Sequence, residues 1–147
     1  MLHQIQSASD PFFQLLEGDP VRPNIDHQQR LGKNKQVLVL LDQQSQPQSV
    51  VCVALCNTVP REESELFCYD GHQPTVAVLY TIWSLVSGGG RKMIPAARLH
   101  IQQNFPSVAQ IVTLSPLTDM ARRFHLNNGA RELQVNTHTV NFEYNAG

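Results

Sequence analysis

A chain of 147 residues is long enough for one hydrophobic core and short for two. With 41% hydrophobic and 16% charged residues it is neither disordered nor fibrous. Eleven Lys and Arg against twelve Asp and Glu leave a net charge of −1, which argues against a nucleic-acid binder that relies on a basic face. The longest apolar run, Val50 to Cys56, has seven residues, against the ~18 a membrane span needs. Met1-Leu2-His3-Gln4 opens no basic-then-apolar leader. Cys52, Cys56 and Cys68 are odd in number and lack metal-type spacing, so no metal site is expected. The expectation is one reduced, cytoplasmic domain over residues 1–147, away from nucleic acid and membrane.

In chain order, Phe12, Phe13, Leu15 and Leu16 follow Ser9-Asp10-Pro11 and predict a short helix, with Asp10 as N-cap and Pro11 first inside. Gly18 to Pro23 breaks it. Val37 to Leu41 and Val50 to Leu55 are β-branched runs around a Gln-, Ser- and Pro-rich turn, and predict an antiparallel hairpin. Asn57 to Gln73 is polar and punctuated, an excursion over the surface. Thr75 to Leu85 predicts a third strand, with Val76, Val78, Tyr80 and Ile82 on one face.

Ile94, Ala97, Ile101 and Phe105 then recur at helical spacing, with His100, Gln102 and Gln103 on the wet side. Asn104-Phe105-Pro106 stops that helix. Val108 to Leu114 predicts a fourth strand, and Thr118 to Asn128 a second helix capped by Thr118 and closed by Gly129. Leu133 to Val135 and Thr139 to Tyr144 supply two last short strands.

Between the third strand and the first helix stands Ser87-Gly88-Gly89-Gly90-Arg91-Lys92. A strand, a glycine turn and a helix N-terminus make an anion site, because backbone N–H groups can approach the ligand and the helix dipole favours negative charge. Arg91 and Lys92 add cationic donors where a pyrophosphate would lie. An ordinary surface turn is the competing reading. The spacing fits neither G-x-G-x-x-G nor a G-K-[ST] loop. Pro95 lacks an N–H, so regular helix is expected from about Met93 or Ile94.

The second half of the chain carries a resemblance. Thr118-x-x-Ala121-x-x-Phe124-His125-x-x-x-Gly129 resembles the N-x-x-A-x-x-L-Y-x-x-x-G-F signature of the GNAT acyl-CoA superfamily, with histidine in place of tyrosine. The string from Arg122 through Ala130 is similar to the F-H-L-x-N-G-A segment of the malonyl-CoA decarboxylase family. Arg30-Leu31-Gly32, Val53-Ala54-Leu55, Phe105-Pro106, Thr113-Leu114-Ser115-Pro116 and Val140-Asn141-Phe142-Glu143-Tyr144 agree in the same order. The resemblance runs from Ile25 to Tyr144. It departs from the family in four ways: no N-terminal helical domain, Ser115 and His125 only ten residues apart where the family has a long insertion, a phosphate loop denser in glycine, and Cys52 where a polar residue often precedes Val-Ala-Leu. The chain thus resembles a minimal catalytic domain.

The resemblance implies an α+β, GNAT-type acyl-CoA-binding fold, with a mixed, mostly antiparallel sheet flanked by helices and splayed at the cleft. It implies malonyl-CoA decarboxylation to acetyl-CoA and CO2, with Ser115 as proton acceptor and His125 as proton donor. No cofactor is implied beyond coenzyme A as part of the substrate. Leu85, Val86, Ser87, Gly88, Gly89, Gly90, Arg91, Lys92 and Ile94 are the expected contacts of coenzyme A, and Asn141 and Tyr144 candidate cleft residues.

The chemistry is consistent with those residue types. An enolate left by CO2 needs donors for its oxygen and one proton for its carbon, which an imidazole and a hydroxyl can provide. Malonyl-CoA or another acyl-CoA is the expected partner, with acyl-carrier protein as the alternative carrier. The other functions in view are a GNAT N-acyltransferase and a non-catalytic acyl-CoA- or carrier-binding module. Tyr80, Trp83 and Phe124 read as core or cleft wall; His3, His27, His72, His100 and His138 read as surface or packing residues.

Overall fold

The computed structural model describes residues 1–145. Eight strands form one mixed sheet: β1 (Leu2–Ile5), β2 (Lys35–Leu41), β3 (Pro47–Cys56), β4 (Val76–Ser84), β5 (Gln110–Thr113), β6 (Ser115–Pro116), β7 (Arg131–Val135) and β8 (Thr139–Tyr144). Two helices, α1 (Gly89–Asn104) and α2 (Asp119–Asn127), interrupt the series. The spatial order is β1-β2-β3-β4-β5-β8-β6, with β7 also on β8. Every pairing is antiparallel except β4 with β5, the two strands that α1 connects.

The hairpin of β2 and β3 turns at Asp42, whose Oδ1 accepts from the Gln44 and Gln46 amides at 2.8 and 2.9 Å. Its β-branched residues alternate between two buried faces. Val37, Val39, Val50 and Cys52 pack with Leu16 and Ile25 of the N-terminal segment. Leu38, Val51 and Val53 pack with Met93, Ile94, Ala97 and Ile101 of α1. Covered on both faces, the central strands read as continuous apolar runs.

Besides the first expected helix, which is a 3₁₀ stretch at Phe13–Gly18 with neither Asp10 as its cap nor Pro11 inside it, four features differ from the sequence reading. Leu2–Ile5 pairs with β2 from Leu2↔Leu40 to Ile5↔Val37, a strand too short to show a period. The excursion after β3 is anchored by Leu66, which is fully buried in the core. Helix α1 begins at Gly89, and Pro95 lies inside it. The ring costs α1 one amide, and the helix continues because Met93, Ile94 and Ala97 are locked into the core.

The fourth difference is on β4. Cys52 pairs with Thr81 but Val53 pairs with Leu79, so Tyr80 is an extra residue. The bulge reverses the alternation: Val76, Val78 and Tyr80 share one face, but Ile82 packs on the other and Trp83 takes its place.

Candidate functional site

The bulge lies where the sheet opens. β4 and β5 pair only from Val76↔Gln110 to Leu79↔Thr113, and at the open end a last bond runs from Leu114 N–H to the Leu79 carbonyl at 3.4 Å. Beyond it β4 stays with β3, whereas the other chain follows β8, Ser115 pairing with Val140. The gap is a cavity of about 580 Å³. Its walls come from residues 79–84 of β4, from Ser115 and Pro116, from the inner face of α2, and from Pro20 and Val21. Among the described residues, this wall contains no Asp, Glu, Lys or Arg.

Ser115 and His125 both line this cavity and both are buried. Thr118 caps α2 by accepting from the Ala121 amide at 3.2 Å, which starts the helix so that Ala121, Phe124 and His125 face inward. The imidazole stacks on Phe142 at 5.3 Å between centroids, with Phe124 edge-on at 5.1 Å. Its Nδ1 lies 2.7 Å from the Tyr144 hydroxyl. Burial in this aromatic setting pushes the His125 pKa down to about 4, so the ring is neutral near pH 7. Burial likewise raises the pKa of Tyr144, with nearby Arg98 opposing it, and the phenol stays protonated. With Nδ1 engaged, Nε2 is the nitrogen left for a ligand.

Ser115 Oγ donates to Thr113 Oγ1 at 2.8 Å, and Thr113 Oγ1 also accepts the Phe142 amide at 3.0 Å. A backbone donor thus fixes the hydroxyl that fixes the serine. Thr113 was not singled out as a site residue from sequence; its place directly before Leu114-Ser115 was the available signal.

Asn141 is not part of the cleft. It is fully buried and its amide is fully used: Nδ2 donates to the Thr113 and Pro60 carbonyls at 2.7 and 3.0 Å, and Oδ1 accepts from Gln134 and Asn136 at 2.9 Å each. It ties the excursion after β3 to β8. Tyr144 stands behind His125 and acts on the cleft through it.

The glycine loop is built differently from the expectation. Gly88 is left-handed at φ 79°, which suits glycine. A Cβ on Gly89 would stand 2.1 Å from the Gln48 carbonyl oxygen, and one on Gly90 2.9 Å from Ser84 Oγ. Gly89 admits α1 against the β3 backbone rather than a ligand, whereas Gly90 lines the cavity, where a Cβ would also stand 3.3 Å from the Phe124 ring. The Gly90 amide is taken by Ser84 Oγ at 2.7 Å, and the Leu85 and Val86 amides by the Gln48 carbonyl at 2.9 and 3.3 Å. Ile94 is 1% exposed and belongs to the core, so its side chain does not reach a ligand. The backbone N–H groups of Ser87, Gly88 and Arg91 remain outside the backbone bonding of this turn, beside the exposed Arg91 and Lys92. Those donors and cations could hold a diphosphate; Leu85 and Val86 offer exposed apolar side chains next to them.

A second polar cluster went unread. Asp19, Arg22 and Arg30 are buried, with Arg30 Nη1 on Asp19 Oδ2 at 2.6 Å. Arg30 had entered only as part of a resembling segment. Charged residues spread over a mixed segment give no periodicity to mark them as internal.

No protein-family model and no curated protein sequence matches this chain. Solved structures do. The malonyl-CoA decarboxylase from Rhodopseudomonas palustris matches 100% of this chain and 60% of its own, at 18% identity and a TM-score of 0.74. The GphF GNAT-like decarboxylase in complex with isobutyryl-CoA matches 100% of both chains at 12% identity and a TM-score of 0.73. A Bacillus subtilis acetyltransferase in complex with CoA matches 98% of this chain and 97% of its own, at 9% identity and a TM-score of 0.66. The chain spans 33 to 60% of the length of the malonyl-CoA decarboxylase chains it matches. At these identities the likeness establishes the fold: α+β, GNAT-type, with an open mixed sheet.

Proposed function

We propose that the protein decarboxylates a malonyl thioester, with malonyl-CoA as the first substrate to test. The observation that carries this reading is that the buried His125 and the Ser115 hydroxyl line one cavity whose wall is free of charged side chains, a setting that keeps the imidazole neutral. An N-acyltransferase has to deprotonate an amine, and that wall offers no carboxylate for the task.

The mechanism follows from the environment. A malonyl carboxylate held among Ile82, Trp83 and Phe124 loses its water shell, and losing CO2 moves its charge onto the thioester. The C–C bond breaks and its electron pair forms the enolate. His125 Nε2–H and the Ser115 hydroxyl are the donors available to the enolate oxygen. Thr113 can reverse its bond with Ser115 and donate to it, which frees the serine proton for that oxygen. His125 then delivers a proton to the former malonyl carbon, and solvent restores it, so one proton is consumed per CO2 released. The pyrophosphate of the carrier lies against Ser87, Gly88, Arg91 and Lys92.

Mass spectrometry of the protein incubated with malonyl-CoA in deuterated water tests this reading. The expected product is acetyl-CoA with one deuterium on its methyl carbon. Intact malonyl-CoA, at concentrations where binding is measurable, would leave a binding module.

A further inference from the structure

The segment before β2 places a buried guanidinium where the sheet comes apart. Arg22 is 6% exposed. Its Nη1 donates to the Tyr80 carbonyl and lies 3.4 Å from Thr81 Oγ1, while Nη2 donates to the Leu114 carbonyl at 2.6 Å. Tyr80 is the bulge residue of β4, and Leu114 links β5 to β6. One planar fork therefore spans the two strands one residue beyond their last pair, Leu79 with Thr113.

Those carbonyls are the groups a splay strands without partners, and a buried acceptor without a donor is costly. Arginine alone offers two parallel N–H groups in a rigid plane for both. The fork is itself held in place. Nε pairs with Glu63 at 3.1 Å, the Arg22 amide donates to Asp19 Oδ1 at 2.9 Å, and the Arg22 carbonyl accepts from Arg30 Nη2 at 2.7 Å. The two residues before it, Pro20 and Val21, are cavity wall.

We propose that Arg22 is the positioning residue of the acyl site: its fork stands in for the missing pairing between β4 and the Leu114–Ser115 corner and keeps the cleft from closing. It acts through Tyr80 and Leu114 and touches no substrate. The strand separation stands independently of the proposed function; naming an acyl thioester as the occupant rests on it.

Arg22→Met and Arg22→Lys test the proposal by two readouts. Calorimetry measures affinity for acetyl-CoA, which must enter the cleft, and for adenosine 3′,5′-diphosphate, its nucleotide half. Arg22→Met is expected to weaken acetyl-CoA by about tenfold or more while the nucleotide changes by less than about twofold, with Arg22→Lys between. In ligand-free protein, NMR contacts between backbone protons of Thr81 and Ser115, absent from the wild type, are expected to appear in Arg22→Met. A folded Arg22→Met protein with either readout at its wild-type value overturns the proposal. If Arg22→Met does not fold, Arg22→Lys decides by the same two readouts, because its single ammonium cannot present the fork. If the wild type binds neither probe, the proposed function falls, and the strand contacts alone decide the role of Arg22.

Discussion

The Tyr144 hydroxyl sits 2.7 Å from Nδ1 of His125, and a phenol whose pKa burial has raised is a proton donor there. Donation to Nδ1 selects the tautomer with hydrogen on Nε2, the nitrogen left for the cleft. His125→Gln is expected to keep affinity for acetyl-CoA and to lower turnover by ~10²–10⁴-fold, the scale of a positioned acid. Stopped-flow release of CO2 beside calorimetric binding separates the two. The neutral ring is the working form, so turnover per bound substrate should stay level from about pH 8 to 5 and fall only as pH approaches the ring's pKa of about 4. A rate that instead declines as pH rises through 6.5 would mean that an imidazolium does the work. Tyr144→Phe removes the tautomer control; a loss of about tenfold in turnover and a change in the ¹⁵N shifts of the ring are expected, with the fold intact.

Among the elements, α1 and α2 were legible because each buries one face at helical spacing, and the β2–β3 hairpin because two β-branched apolar runs flank a polar turn. β1 was not legible, since four residues cannot display one and β2 supplies the pairing. Ile82 was assigned to the wrong face because a bulge leaves no mark in the pattern of apolar residues. The glycine loop is the instructive case. Three glycines suggest an anion cradle, yet Gly89 is small because α1 meets the β3 backbone there, and Gly90 faces the acyl cavity beside Phe124. Gly89→Ala should therefore cost about 1–3 kcal/mol in urea unfolding, as overpacking does. Arg91→Ala with Lys92→Ala should leave stability unchanged. That pair should weaken CoA by about tenfold at low salt and by less at high salt, if the loop holds the diphosphate. His125 and Ser115 were read from a resembling segment; Arg22 was not, because its partners lie about sixty and ninety residues further along the chain.

At the scale of the whole molecule, stability should carry the signature of the neutral histidine. His125 has a lower pKa folded than unfolded, so between the two values the unfolded chain binds more protons. The stabilisation is therefore complete above about pH 6.5 and is lost as pH falls toward 4, by about 3 kcal/mol if unfolded His125 keeps its ordinary pKa. Urea titrations at several pH values should show that slope in the wild type and a shallower one in His125→Gln. His100, whose pKa burial also lowers, contributes in the same direction to both proteins.

The splay has one more consequence, for solubility. From Tyr80 onward the side of β4 turned away from β3 meets no neighbouring strand, although it lies in the middle of the sheet. Such a row of backbone groups is a template on which another chain can add a strand, and outer strands are usually blunted against it. Here the shield is local: α2 on one side, and on the other Pro20 and Val21, anchored by Arg22. Removing the shield should turn an interior cleft into an aggregation site. A Pro20→Ser, Val21→Ser variant, which leaves β1 and the Asp19–Arg30 pair in place, is accordingly expected to form thioflavin-positive aggregates at concentrations where the wild type stays monodisperse by light scattering.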